Sequence, residues 1–479
     1  MQWCASTLKK ITYLMFLLMF TDGIALDKNS NIADDMLGTW EANIRFEGLD
    51  LELLMHINKN DSGKLVGSID SPTQNAFNIT LSDVARNDLS LSYQSNLIGA
   101  SFRGTLNTNT STIEGVWKQN GIEVAVMWVR QSDINNDSKI SLPLRPQTPV
   151  APFTYDSLEY SFQSNASNII LSGTLTLPEN TPRSPGIVLI SGSGPQDRDS
   201  RIYNHPVFSV ISDMLTRHGF AVLRYDDRGI GESQGKYNEA TTYDFADDAI
   251  GAAMAISNHP RVNKQRITYI GLSEGAVIAA IAQNRSPLVS EIAMLSPPIL
   301  PYSDISIQQA HDITLSAGAD KSAAERAAED QRAINDVALA AIKQNSSMRN
   351  AVEKKLLEMG LSSDFAIRRA QPFGSVWLNT YIQLDPYDEI KNIDVPILAI
   401  WGEKDVQVNA EQNLQKMSTL SAEKDIETKV FPDLNHLLQP ATTGAVTEYA
   451  SIDLTISDEV ITEIVEWISL RHDKADHPL

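Results

Sequence analysis

The sequence predicts two folded parts in series, a small antiparallel all-β domain followed by an α/β domain with a helical insertion. Three observations carry this. Between Gly38 and Arg130, apolar residues alternate with period two, as in strands with one buried face. From Tyr155 onward, strand-like runs alternate with helix-like ones, the pattern of parallel strands joined by crossover helices. Between Pro298 and Pro396 that alternation stops, and Ala, Glu, Lys and Leu recur at helical spacing.

Taken in order, residues 1–25 have the layout of a secretory signal peptide. Lys9 and Lys10 precede an apolar run from Ile11 to Phe20, and Gly23-Ile24-Ala25 offers small residues for cleavage. That run is shorter than a bilayer-spanning helix requires. The expectation is a secreted or periplasmic protein with no stable membrane anchor after cleavage. Cys4 is the single cysteine, upstream of the apolar run, so the processed chain excludes a thiol nucleophile, a thiolate metal site and a disulfide. A formal charge of −21 argues against nucleic-acid binding, because such a surface repels phosphate backbones. At 479 residues, two or three domains are expected.

Residues 36–130 form the β domain. Leu51, Leu53, Met55 and Ile57 alternate with their neighbours, as do Ile122, Val124, Val126 and Trp128. Turn residues at 60–63, 107–109 and Asn120-Gly121 punctuate the strands, and a small barrel or curled sheet follows. His56, between Met55 and Ile57, reads as a structural histidine.

Residues 131–153 read as a linker with prolines at 143, 146, 149 and 152. Inside it, Asp133, Asn135 and Asp137 fall at alternate positions, as at the start of a calcium loop. Ser138 and Leu144 stand where that loop needs Gly and a bidentate Glu, so a solvated linker is the better reading.

Residues 154–300 and 390–472 make the α/β domain, with 301–389 as a helical cap. Strands are expected near 158–162, 169–177, 186–190, 221–225, 267–270, 292–295, 397–401 and 428–431. Helices are expected near 206–218 and 243–257, after Ser273, and near 458–470. In the cap, Phe373, Trp377 and Tyr381 recur four apart, one face of a helix if that stretch is helical. That face either packs or walls a pocket over Ser273.

The chemistry starts at Gly271-Leu272-Ser273-Glu274-Gly275, where a strand runs into a small-residue helix. A Gly-x-Ser-x-Gly turn in that context holds its serine in a strained conformation and presents the hydroxyl at the sheet's end. A serine hydroxyl needs a positioned base, and the base needs a carboxylate to hold its tautomer. In sheets of this kind the order is Ser, acid, His. Of eight histidines, only His311, His436, His472 and His477 follow Ser273. His311 lies in the cap and the last two in a polar tail, which leaves His436, on a loop after a strand. Asp405 in Gly402-Glu403-Lys404-Asp405 is favoured as the acid over Glu403, with Asp433 as a rival. The developing oxyanion would be met by the backbone N–H of Glu274 and that of Ser193, the latter in the loop Ser191-Gly192-Ser193-Gly194-Pro195-Gln196-Asp197-Arg198-Asp199. That loop lacks a full dinucleotide fingerprint. Asp226-Asp227-Arg228-Gly229-Ile230-Gly231 carries no phosphate-binding lysine, so a bracing loop with Arg228 paired to a carboxylate is expected.

In order and spacing, these four motifs and Asn435-His436 resemble an α/β-hydrolase, and more narrowly the bacterial secreted serine esterases of the serine-aminopeptidase-like branch that carry an N-terminal β domain. The resemblance covers Tyr155 to the end; over the β domain it is architectural. It implies hydrolysis of carboxylic esters, mostly short-chain, a small-molecule substrate and no metal or other cofactor. Ser191-Gly192 stands where many of these hydrolases have His-Gly. Two alternatives remain open: an exported peptidase or acyltransferase on the same triad, and a non-catalytic ligand-binding protein.

Overall fold

The computed structural model describes residues 36–476 apart from 47–48, 61–62, 72–75, 96–97, 108–111, 120–121, 131–144, 180 and 204. The signal-peptide residues, the calcium-like stretch and the central residues of the three β-domain turns therefore lie outside the described residues, as does His477. The chain divides into two compact units. One holds the β domain with residues 202–204 and Val352–Pro372; the other holds the remainder from Arg145 onward.

In the first unit, eight antiparallel strands close into a barrel, each pairing with the next and the first with the last. They are β1 (Gly38–Phe46), β2 (Leu49–Lys59), β3 (Leu65–Ser71), β4 (Ala76–Asn87), β5 (Ser90–Ser95), β6 (Ala100–Asn107), β7 (Thr112–Gln119) and β8 (Ile122–Arg130). Closure leaves no edge strand to pair with another chain. The period of two sends alternate residues inward, so β6 buries Ala100, Phe102, Gly104 and Leu106 in turn. Trp40, Met55, Ile57, Ile69, Tyr93, Trp117 and Trp128 join Phe102 in filling the interior. Gly104 and Gly115 are required beside that ring, because a Cβ on either would come within 2.5–2.7 Å of Phe102. His56 is a satisfied histidine, with Nε2 2.9 Å from Asp70 and Nδ1 3.0 Å from Thr39.

The second unit is built on an eight-stranded sheet. Its strands are β9 (Tyr155–Gln163), β10 (Ile170–Pro178), β11 (Ser184–Ile190), β12 (Ala221–Tyr225), β13 (Val262–Leu272), β14 (Glu291–Leu295), β15 (Ile397–Gly402) and β16 (Ile426–Phe431). The spatial order is β16-β15-β14-β13-β11-β12-β10-β9. From β12 to β16 the neighbours are parallel, and β10 and β9 are added antiparallel at one edge. Strands β14 and β15 are buried at every position, as expected for parallel strands covered on both faces. Helices α1 (Val207–Arg217), α2 (Thr242–Ser257), α3 (Glu274–Arg285), α10 (Ala410–Ser421) and α11 (Asp458–Asp476) accompany the sheet. Helix α2 starts with a capping box, Thr241 and Asp244 each accepting from the other's backbone N–H.

Between β14 and β15 the chain leaves the sheet for α4 (Tyr302–Ser316), α5 (Lys321–Lys343), α6 (Met348–Glu358), α7 (Ser363–Ala370), α8 (Val376–Tyr381) and α9 (Pro386–Lys391). Helix α5 buries Ala324, Gln331, Ile334, Asn335, Ala338 and Ala341, one face at helical spacing. Buried Asn335 donates to the Ser306 hydroxyl and the Ser303 carbonyl of α4, which fixes the pair's register. The expected single aromatic helix is broken. Phe373 lies in a one-turn 3₁₀ segment, Gln371–Gly374, and Ser375 caps α8 by accepting from Leu378 N–H. A capping serine two residues past Phe373 restarts the helix there, so only Trp377 and Tyr381 share it.

His205, fully buried, lies between the Tyr449 carbonyl at 2.9 Å and the Thr455 hydroxyl at 3.1 Å. Burial pushes its pKa down to about 4 from 6.5. A depressed histidine stays neutral in the fold while the unfolded chain takes up a proton. Its contribution is therefore complete above pH 6.5 and is lost as pH falls from 6.5 towards 4. We expect the melting temperature to fall over that window, and His205→Gln to flatten the dependence in calorimetry at stepped pH.

Candidate active site

Strand β13 ends at Leu272, and α3 begins at Glu274, so the chain must turn at a single residue. That residue is Ser273, with φ 55° and ψ −122°, a region costly for any side chain bearing a Cβ. The conformation survives because its surroundings over-determine it. Ser273 N–H donates to the Leu295 carbonyl on β14 at 2.8 Å. A Cβ on Gly271 would stand 2.2 Å from the Gly275 carbonyl, and one on Gly275 would stand 2.2 Å from that of Ile190. Only glycine permits this approach of strand, turn and helix.

His436 stands on the loop after β16, which has its own internal frame. Buried Asn435 accepts from the N–H groups of Leu437 and Gln439 and returns its amide to the Gln439 side chain, all at 3.0 Å. Asp405 stands on the loop after β15. The two loops are joined by the Lys404 N–H donating to the Leu434 carbonyl at 2.9 Å, and a Cβ on Gly402 would meet that same carbonyl at 2.2 Å. This packing brings His436 Nδ1 to 2.7 Å from Asp405 Oδ2, with both side chains buried. The other oxygen of Asp405 accepts from the N–H groups of Gln407 and Val408, each at 2.8 Å. The carboxylate is thus held on three sides, and it fixes the imidazole's tautomer with Nε2 left for other work.

The histidine loop is also tied to the serine's side of the sheet. Ser296, the residue after β14, donates its hydroxyl to the His436 carbonyl at 2.8 Å. Its neighbour Leu295 is the acceptor of Ser273 N–H, so two hydrogen bonds and one peptide unit join the backbones of residues 273 and 436. Ser273 Oγ itself makes no hydrogen bond with the described residues. Of the competing acids, Asp433 sits at φ 57° with its carboxylate on Lys404 at 2.6 Å, and Glu403 accepts from Asp433 N–H. His311 lies in α4 beside Asp312, at 2.8 Å. His472 is in α11.

The loop after β11 lies against the serine: a Cβ on Gly192 would be 3.2 Å from Ser273 Cβ. Its hydroxyls are both committed. Ser191 Oγ donates to Asp227 at 2.7 Å, and Ser193 Oγ donates to Glu274 at 2.6 Å. Asp227 also accepts from Gln196 N–H at 2.9 Å. It is fully buried beside Asp248 and Glu274, and burial first, then those charges, raise its pKa to about 8. Arg228 braces the neighbouring loop, holding Asp248 through Nε at 2.7 Å and Nη2 at 2.8 Å.

The Glu274 side chain was not legible in the sequence, where only its backbone N–H was assigned a role. It is buried, and among the described residues it has no basic partner. Oε1 accepts from Thr242 Oγ1 and Trp377 Nε1, both at 2.8 Å, and Oε2 accepts from Ser193. Burial pushes its pKa up, and the three donors oppose that rise. Trp377 stacks on Tyr381 at 5.2 Å, and Tyr381 meets Tyr302 edge-on at 6.0 Å. The cap's aromatic face is therefore attached to the residue next to the serine.

Among the described residues no group of three His, Cys, Asp or Glu side chains is placed to hold a metal ion, and no helix is long and apolar enough to cross a membrane.

Residues 205–440 match the family model described as serine aminopeptidase, S33. Among characterised proteins, the chain is similar to esterase EstD of Thermotoga maritima, 24% identical over 299 residues, which is 62% of this chain and 65% of EstD. Similar solved structures include the Pyrococcus furiosus esterase Pf2001, at 16% identity over 66% of this chain and 91% of that one, TM-score 0.42. A complex of DcsB with a substrate analogue aligns at 18% identity over 66% of this chain and 99% of that one, TM-score 0.41. The matched segment, with its parallel sheet and strained serine turn, is that of a serine-aminopeptidase-like α/β-hydrolase.

Proposed function

We propose that this protein is a serine carboxylesterase that hydrolyses short-chain carboxylic esters through an acyl-enzyme. The observation that carries the reading is the buried 2.7 Å contact of His436 with Asp405, on a loop tied through Ser296 to the strand beside Ser273. In the first half-reaction Ser273 Oγ attacks the ester carbonyl. His436 takes its proton and gives it to the departing alcohol, while Asp405 stabilises the imidazolium. The oxyanion is met by the N–H groups of Glu274 and Ser193. The first N–H groups of a helix have no partner within it, and Glu274 opens α3. Water, activated by the same histidine, then releases the acid. The Ser191 and Ser193 hydroxyls are donors to buried carboxylates, which fits a loop whose backbone rather than side chains faces the carbonyl.

The relationship to EstD favours an ester over an amide substrate. The matched family's description keeps peptide hydrolysis as the second reading. A panel of nitrophenyl esters of increasing acyl length, run against aminoacyl anilides, separates the two. We expect turnover of the short esters to exceed that of any anilide at least a hundredfold, and the reverse ranking would replace esterase by peptidase. We propose a periplasmic or secreted location from the leader-like amino terminus, tested by fractionating cells that express the full chain.

A further inference from the structure

Glu274 makes more contacts than a residue merely following a nucleophile needs. Its carboxylate gathers three donors from three different parts of the fold: Ser193 in the loop after β11, Thr242 at the start of α2 and Trp377 in cap helix α8. The residue is 2% exposed. A buried carboxylate without a cation is tolerated only when donors saturate it, so removing any one donor leaves the remainder strained. We propose that Glu274 is a positioning residue that ties the cap to the oxyanion loop, so that the seating of Trp377 sets the placement of the Ser193 backbone. The inference rests on the esterase reading above.

The geometry gives one residue control of both halves of the oxyanion site. Its main chain supplies one N–H at the helix start, and its side chain holds the segment that supplies the other. Among the described residues no other carboxylate reaches Ser193: Asp227, the second buried acid behind the loop, holds Ser191 and Gln196 instead. The groups facing Glu274 from the elements around it are Asp227 and Tyr237, with Tyr381 from the cap. None is a cation, so hydrogen bonding and not ion pairing is the organising force. On the cap side, Trp377 has its indole fixed by the carboxylate and its ring stacked on Tyr381. A substrate group that packs on those aromatics would push on the same indole. The loop's position then reports whether the cap is occupied.

A glutamine can reproduce this arrangement. Its carbonyl would accept from Thr242 and Trp377, and its amide would donate to the Ser193 hydroxyl, which can accept. An alanine cannot. The test is steady-state kinetics on the best nitrophenyl ester for Glu274→Gln, Glu274→Ala, Trp377→Phe, Ser193→Ala and the double variant Trp377→Phe/Ser193→Ala. Misplacing an oxyanion donor lowers kcat by about 10- to 1000-fold. We expect Glu274→Ala to show such a loss with KM changed less than threefold, and Glu274→Gln to recover most of it. Trp377→Phe and Ser193→Ala should each lose kcat, and the double variant should lose little more than the worse single, because both act through one carboxylate. Losses that multiply independently, or a Glu274→Gln variant as impaired as alanine, overturn the coupling. Wild-type rates in all five variants overturn it too. Circular dichroism and melting of each variant tell a misfolded protein from a misplaced loop, and Glu274→Gln supplies the folded reference if alanine unfolds. A wild-type protein with no turnover on the panel overturns the esterase reading itself, whereas an active wild type with indifferent variants overturns only this inference.

Discussion

Replacing Ser273 by alanine is expected to abolish turnover, lowering kcat by about 10⁴- to 10⁶-fold while leaving the fold intact. The magnitude follows from what the hydroxyl does. On the proposed mechanism, without it there is no covalent intermediate, and what survives is the rate given by the oxyanion donors and substrate binding alone. Alanine keeps the Cβ that the turn already accommodates at φ 55°, so the packing around Gly271 and Gly275 is undisturbed. Melting temperature should stay within a few degrees of wild type. Intact mass spectrometry after treatment with a serine-directed organophosphonate provides the second measurement. One adduct should form on wild type, map to the peptide containing residue 273 and be missing from the variant. A Ser273→Ala protein that retains more than about a thousandth of wild-type kcat would remove the nucleophile from the mechanism.

The second large effect belongs to Asp405. Asparagine has the same shape, and it can still accept from Gln407 and Val408 through its carbonyl oxygen. What it then presents to His436 is an amide N–H in place of an anionic oxygen. The Nδ1 atom must become the acceptor, so the proton moves to Nε2, the nitrogen needed as base. A loss of about 10³- to 10⁴-fold in kcat is expected at neutral pH, with KM nearly unchanged. The loss should shrink in strongly alkaline buffer, where hydroxide deprotonates the serine without help. Asp433→Asn separates the rivals: its carboxylate sits on Lys404 at the surface, and its loss should leave kcat within twofold. If Asp433→Asn were the crippled variant, the acid would have been misassigned.

These expectations depend on how much of the site local sequence could specify. The strand before Ser273, the glycines around it and the helix after it are adjacent in the chain, and each element's apolar period is its own. That is why β12 and β14, and the helices that begin at Val207 and Thr242, fall within a residue or so of the expected limits. The barrel was legible as alternating strands, whereas its closure was not. Closure depends on β1 meeting β8 through Trp40–Arg130 and Glu41–Val129, a pairing of residues that no turn brings together. In the cap, a spacing of four suggested one aromatic helix, and the Ser375 cap, a competing local signal, interrupted it.

The sequence by itself determined which residue types stand at strand ends: a serine between close-packed glycines, an acid after one strand and a histidine after the next. Those assignments rest on short-range sterics and on periodicity, both of which operate within about ten residues. The tertiary structure alone decided what the side chains meet. Trp377 lies 103 positions from Glu274, and Ser296 lies 140 from His436, so neither contact leaves a trace in local pattern. A buried carboxylate must find its donors wherever the packed chain supplies them, and that supply is a property of the whole fold.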